Sequence, residues 1–177
     1  MRIVAACDGS ALGNPGPAGW AWYIDEESWR RGGWPKSTNN RGELYAVLDL
    51  LRCTRDSGAD LLILADSKYT INSLTDWRFN WRARGWRKSN RKPIENLDLM
   101  QQLDTELDSW ATAGREVKFD WVKGHAGHDL NELVDGLARG AARAYQAGHK
   151  PQPGPGYKGT GEPGANTEPT PNPGTLF

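Results

Sequence analysis

Residues 38–66 read TNNRGELYAVLDLLRCTRDSGADLLILAD. Leu44, Val47, Leu48 and Leu51 fall at i, i+3, i+4 and i+7, the spacing that lines one face of a helix with apolar side chains. The helix is expected from Asn40 to Arg55, with Asn39 or Asn40 as N-cap, where an amide oxygen can satisfy a free backbone N–H. Ser57-Gly58-Ala59-Asp60 ends it. Leu61 to Ala65 is short and wholly apolar, as a strand covered on both faces must be. Residues 2–7, which carry the run Ile3-Val4-Ala5-Ala6-Cys7, supply a matching strand at the start of the chain. Strand, helix, strand in that order implies a right-handed crossover and a parallel pair. Each strand is followed by an acid, Asp8 or Asp66, and Glu43 lies in the first turn of the helix.

Outward from this unit, Asp8-Gly9-Ser10 and Gly13-Asn14-Pro15-Gly16-Pro17 form a Gly/Pro turn. Gly19 to Ile24 and Ser28 to Trp34 read as two more strands. Their connections are too short for crossovers, so the first three strands form an antiparallel meander. Short helices follow over Ser67–Leu74 and Asp76–Arg84. Pro93 opens a longer helix, about Ile94 to Ala113. Val117 to Val122 is the fifth strand, and a last helix covers about Asp129 to Gln146. The fold class is therefore α/β: a mixed five-stranded sheet, part meander and part parallel, with helices packed on it. One folded domain is expected over residues 1–147. Residues 148–177 hold seven Gly and seven Pro. So many helix and strand breakers with so few apolar residues indicate a disordered tail. Such a tail could be a linker to a further domain, a partner-binding segment or inert; linker-like disorder is the expectation.

Lys+Arg and Asp+Glu are both 22, giving zero formal charge. That balance argues against a purely electrostatic nucleic-acid binder, but it hides local segregation. Cys7 and Cys53 show no metal-ligand spacing and read as reduced core residues. No leader segment or long apolar span is visible. A reducing cytosol, a monomer and no membrane partner are the expectations.

A lone Asp after a strand is ordinarily a turn residue, and a Glu in a first helical turn ordinarily serves the helix dipole. The set Asp8, Glu43, Asp66 and Asp135 is different. Central strands deliver their terminal side chains to one sheet rim, where ligand sites form. Carboxylates crowded there repel, and one would hold a proton at neutral pH unless cations sat between them. Hard oxygen ligands favour Mg²⁺ or Mn²⁺. Two such ions about 3.5–4 Å apart clamp the attacking and leaving oxygens of a displacement at phosphorus. His125, in the Gly-rich loop Lys123-Gly124-His125-Ala126-Gly127-His128, suits proton transfer or product release. Its ordinary alternative is a solvated loop histidine. His128 reads as structural, at or near a helix start. A metal-free ribonuclease mechanism wants an acid–base pair, and a second catalytic histidine is missing.

Residues 77–92 hold seven cations (78, 82, 84, 87, 88, 91 and 92) and no acid. Arg84, Lys88 and their neighbours suit phosphates. Aromatic faces, such as Trp77 and Trp81 four residues apart, suit sugars and bases. Trp81 and Trp86 could equally be core anchors. A concentrated basic lobe on a neutral chain points to a polyanionic substrate.

With these residues in hand, the chain closely resembles the type 1 ribonuclease H family of the bacterial kind. Four stretches carry the resemblance, which spans about residues 2–146. They are Asp8-Gly9-Ser10 with Gly13-Asn14-Pro15-Gly16-Pro17; Thr38-Asn39-Asn40-Arg41-Gly42-Glu43-Leu44; Asp66-Ser67-Lys68-Tyr69; and Trp121 to His128 followed by Asn131-Glu132 and Asp135. The resemblance implies an endonuclease that uses Mg²⁺ to cut the RNA strand of RNA/DNA hybrids, leaving a 5′-phosphate and a 3′-hydroxyl. It makes Asp8, Glu43, Asp66 and Asp135 the metal ligands and His125 the mobile proton-transfer or product-release residue. Asn14, Asn39 and Asn40 match positions near the 2′-hydroxyls, where amides can both donate and accept. Thr38 and Asn80 match positions that hold a DNA-strand phosphate, and Trp77 an aromatic in the DNA channel. Residues 77–92 match the family's basic protrusion. Ala11 stands where a small polar or thiol residue is common, and Lys68 and Asn72 where glutamines are common; these bear on minor-groove contacts, not on the chemistry. A non-catalytic hybrid-binding module would need one acid lost, and none is. A DNA recombination nuclease would share the acids without needing Asn39-Asn40 or the basic segment.

Overall fold

A computed structural model of the chain describes residues 1–124 and 129–159. His125 and His128 lie outside the described residues, as do residues 160–177. Strands β1 (Arg2–Ala11), β2 (Gly16–Asp25), β3 (Ser28–Ser37), β4 (Asp60–Ala65) and β5 (Val117–Trp121) form one sheet in the order β3-β2-β1-β4-β5. β1, β2 and β3 pair antiparallel, and β1–β4 and β4–β5 pair parallel, as the sequence implies.

The period-2 alternation of the strands sorts the core into two layers. Ile3, Ala5, Cys7, Trp20, Trp22, Leu61 and Ile63 pack with helix α1 (Asn39–Cys53) and helix α4 (Leu97–Thr112). Ala6, Ala21, Leu64 and the half-buried Val4 and Leu62 pack with Val134 and Ala138 of α5 (Asp129–Gln146). All four apolar positions that define the α1 face are fully buried. Gly19 lets α5 approach: a Cβ there would lie 2.1 Å from the Ala138 carbonyl oxygen.

Several boundaries differ from the sequence reading. β1 runs on to Ala11 instead of stopping at Cys7, because its hairpin with β2 stays paired past Asp8 (Asp8↔Ala21, Ala11↔Ala18) after β4 has ended. The N-cap of α1 is Thr38, whose Oγ1 accepts from Arg41 N at 3.2 Å. Asn39 and Asn40 are already helical. The segment after Asp66 is a single run: α2 (Lys68–Asn72), a wide turn over Ser73–Trp77, and α3 (Arg78–Ala83). α4 starts at Leu97 because Asn96 takes a left-handed conformation at φ 55°.

The largest correction is at the C-terminus. Disorder was expected from Gly148, yet the first part of that segment is a strap on the free edge of β3. Arg31 N donates to the Pro153 carbonyl (2.9 Å), Gly156 N to the Trp29 carbonyl (3.2 Å) and Lys158 N to Ser28 Oγ (3.0 Å). Arg31 Nε holds the Gln152 carbonyl at 2.9 Å, and Tyr157 is buried in the α1-side core. An edge strand presents unpaired N–H and C=O groups. A Pro-rich chain suits it where only acceptors are needed, and a glycine supplies the N–H between them. Ending the chain at Gly148 is predicted to remove roughly 2 kcal/mol, about what burying one large side chain contributes. Thermal unfolding of chains ending at 148 and at 159 checks this; equal midpoints would refute it.

Candidate active site

Asp8 follows Val4 and Ala6 on the strand face that looks toward α5. Asp66 sits immediately after β4, whose parallel partner is β1. Glu43 comes from the second turn of α1, not the first, because the helix already begins at Asn39. It enters from the opposite side, and Gly9 lets it in: a Cβ on Gly9 would meet the Glu43 backbone nitrogen at 2.4 Å. As a result, one carboxylate oxygen from each of Asp8, Glu43 and Asp66 lies within 4.8 Å of the others. Asp135, on α5, interacts with the Asp8 side chain but is not part of that group of three.

The electrostatics of this cluster are adverse for a bare protein. Asp8 and Glu43 are buried. Burial, with Asp66 and Asp135 nearby, pushes the Asp8 carboxyl up to about 7 despite the hydrogen bond from Glu43. Burial first, then the charge of Asp8, raises Glu43 well above its usual range. Glu43 Oε2 is buried without a hydrogen-bond partner among the described residues. An orphaned carboxylate oxygen facing two other acids is what a divalent cation requires, so the donor set fits a hard ion with all-oxygen ligation. The rim residues are held from outside the cluster. Trp121 Nε1 donates to the Asp66 carbonyl (3.1 Å), and Lys68 Nζ lies 4.6 Å above the Trp121 ring. Arg139, one turn along α5, pairs with Asp135 Oδ2. Gly124 sits beside Asp66: a Cβ there would come 2.9 Å from Asp66 Oδ2.

The sequence profile of the family described as RNase H matches residues 1–143. The chain belongs to the RNase H family. The ribonuclease H of Tropheryma whipplei (strain Twist) is 48% identical over 156 residues, covering 88% of this chain and 94% of that protein. Among solved structures, LC9-RNase H1, described as a type 1 RNase H with the type 2 active-site motif, aligns with a TM-score of 0.68 at 30% identity. That alignment covers 88% of this chain and 75% of the other. LC11-RNase H1 in complex with RNA/DNA hybrid shares the fold at a TM-score of 0.54 and 20% identity, covering 80% and 96%. RNase H membership makes the chain an enzyme, a nuclease, and the mixed sheet found here is the RNase H fold.

Around this RNase H centre the other expected residues are spread over one surface. Asn14 Oδ1 accepts from Asn39 N at 3.1 Å, tying the β1–β2 turn to the start of α1. Asn40 is half-buried beside it. Thr38 lines a cavity of about 310 Å³ with Pro15, Lys36, Ser37, Arg41 and Asn96. Asn80 is exposed on α3 and is not among the residues lining that cavity. Arg41 was missed by sequence reasoning. Its guanidinium is held by Asp98 of α4, with Nη1–Oδ1 at 2.9 Å, and the pairing keeps Asp98 below the usual carboxylate range. Only the cation within the Thr38–Glu43 motif hinted at it, because the fixing acid lies 57 positions away.

The basic segment divides into two sets. Arg78 is buried and bonds to Asp104 (2.7 Å), Asp108 (3.0 Å) and the Leu74 carbonyl (2.7 Å); Arg82 pairs with the same two acids. These two cations anchor the protrusion on α4 and are not available to a polyanion. Lys88 approaches Glu95 at 3.4 Å, both exposed. Arg84, Arg87, Arg91 and Lys92 have no carboxylate partner among the described residues. Trp81 and Trp86 are partly buried against the core, while Trp77 is exposed and stacks edge-on between Tyr69 (6.3 Å) and Trp81 (5.9 Å).

Proposed function

We propose that the chain hydrolyses the RNA strand of RNA/DNA hybrids endonucleolytically at this centre, with two Mg²⁺-class ions held by Asp8, Glu43, Asp66 and Asp135. The products are a 5′-phosphate and a 3′-hydroxyl. The observation that carries the reading is the convergence of three acids from β1, α1 and the end of β4 around an unpartnered Glu43 oxygen. Divalent ions there would acidify an attacking water and neutralise charge building on the phosphorus oxygens.

The protein's own groups supply position. Arg139 steadies Asp135, and the Trp121 indole fixes the turn that presents Asp66. Asn14, Asn39 and Asn40 offer amide donors and acceptors where a 2′-hydroxyl distinguishes RNA from DNA. Thr38, with Arg41 and Lys36 in one cavity, suits a phosphate of the DNA strand, and Asn80 adds a polar contact further along α3. The aromatic row Tyr69, Trp77, Trp81 leads from α2 toward the protrusion and suits sugar and base faces. Arg84 and Lys88 then reach flanking phosphates. To His125, which lies outside the described residues, falls the role of proton transfer or product release. The burial of Cys7 and Cys53 in the core suits thiols kept in a reducing compartment. No helix among the described residues is long and apolar enough to cross a membrane.

The test is gel analysis of an end-labelled hybrid. RNA is cut in the presence of Mg²⁺ and intact in excess chelator; RNA cut equally in chelator ends the proposal, as does equal cutting of double-stranded DNA. The divided protrusion adds a second prediction. Replacing Arg84 and Arg87 with Ala is expected to flatten the salt dependence of hybrid affinity by about one unit of slope per cation. Arg82→Ala should instead lower stability, since Asp104 and Asp108 lose a partner. Binding measured by anisotropy across a salt series separates the two; an unchanged slope in the double variant counts against a substrate role.

A further inference from the structure

We propose that the open cleft lined by the end of α5, the middle of β3 and the C-terminal strap is a binding site for a phosphate group. It is separate from the acid cluster: Arg143 lies eight residues past Asp135, roughly 12 Å along the helix. The family match ends at residue 143, so the strap residues that border the cleft lie beyond it.

The cleft measures about 360 Å³, and its lining includes Arg31, Arg143, His149 and Lys150, with no acid among the described residues. A water occupies roughly 30 Å³, so the space admits a far larger solute. No carboxylate pairs with Arg31, Arg143 or Lys150 among the described residues. Arg31 is built into the wall. Its Nε holds the Gln152 carbonyl, which fixes the plane of the guanidinium, and its Nη1 faces Gly140, where a Cβ would approach to 3.0 Å. Burial lowers the Arg31 pKa below its usual value. Like charges gathered along an open cleft still repel one another, and an anion entering it relieves that repulsion. Guanidinium forks match the oxygens of phosphate, and lysine adds a mobile point charge.

Service to the helix dipole does not explain the group. The carbonyls of Arg143, Ala144 and Tyr145 already accept from the N–H groups of Ala147, His149 and Gly148, so the end of α5 is closed without cations. Arg31 belongs to a strand and Lys150 to the strap.

Inorganic phosphate is the probe, titrated into the full ¹⁵N-labelled chain in chelator so that the acid cluster holds no ions. The expected result is saturable movement of the Gly140, Ala144 and Gln152 amides in the roughly millimolar range. The Arg143→Ala/Lys150→Ala variant keeps the Arg31–Gln152 clasp and should bind at least tenfold more weakly. Lys150→Glu, at an exposed position, should do the same without touching the helix. A short hybrid added in chelator identifies the source. Displacement of phosphate from these amides assigns the site to a nucleic-acid backbone; phosphate left in place assigns it to a free phosphate or nucleotide. Shifts confined to the acid cluster and the basic protrusion, or equal affinity in Lys150→Glu, would overturn the proposal.

Discussion

Asp66→Asn is expected to lower hybrid cleavage by about a thousandfold or more while leaving hybrid affinity in chelator within a few-fold of the parent. A thousandfold corresponds to roughly 4 kcal/mol, within what bound divalent ions supply to charge development at phosphorus. Asp66 is the acid placed at the very end of β4, only half-buried, and its turn is fixed through its carbonyl by Trp121. The backbone anchor survives the substitution, so the change removes a ligand charge and not the geometry. The proposed hybrid contacts lie elsewhere, in the Thr38 cavity, the Asn14–Asn39 link and the protrusion. Nor can misfolding mimic the result, since neutralising one of the crowded acids relieves repulsion and should leave the variant at least as stable. Single-turnover cleavage alongside equilibrium binding decides the matter. A variant that still cuts within tenfold of the parent would mean that Asp66 is not a ligand; one that loses binding in chelator would mean that it positions substrate directly.

The parts of this molecule that the sequence reveals are those governed by local periodicity. The α1 face, the two apolar strands and the span of α5 follow from spacing alone, because packing here does not override it. The acid cluster was legible for a related reason: apolar strands must be central, and central strands share a rim. What escaped depends on partners distant in the chain. Nothing local announces that Arg78 and Arg82 belong to Asp104 and Asp108, so all seven cations of the protrusion looked available. Thr38 took the cap from the asparagines because Asn39 and Asn40 are already in the first turn, and Asn39 N–H is satisfied by Asn14. The strap escaped for the same reason. Its composition is that of a chain too polar to fold by itself, and its order comes from the β3 edge and from a place in the core for Tyr157. Composition judges whether a segment can stand alone, not whether a neighbour will hold it.

The other large effect concerns stability without metal. In the folded chain the Asp8 carboxyl sits near 7 against its ordinary 3.8, a difference worth roughly 4 kcal/mol at most. The folded state therefore holds more protons than the unfolded one between about pH 4 and pH 7. Stability from the protonated cluster is complete below about pH 4 and is lost as pH rises through about 7. Glu43, shifted in the same direction, extends the loss to higher pH. In chelator at pH 8, Asp8→Asn is thus predicted to unfold by up to about 8–16 °C above the parent, given about 2–4 °C per kcal/mol for a chain of this size. The advantage should disappear near pH 4, where both proteins carry a neutral group at position 8. Added Mg²⁺ should raise the midpoint of the parent at pH 8 and do much less for the variant, since an ion that binds only the folded state stabilises by mass action and the variant lacks a ligand. Thermal unfolding at both pH values, with and without Mg²⁺, tests the linkage. If the parent in chelator is as stable at pH 8 as at pH 4 relative to Asp8→Asn, the acids are not crowded in solution, and the case for ions drawn in by their repulsion falls with it.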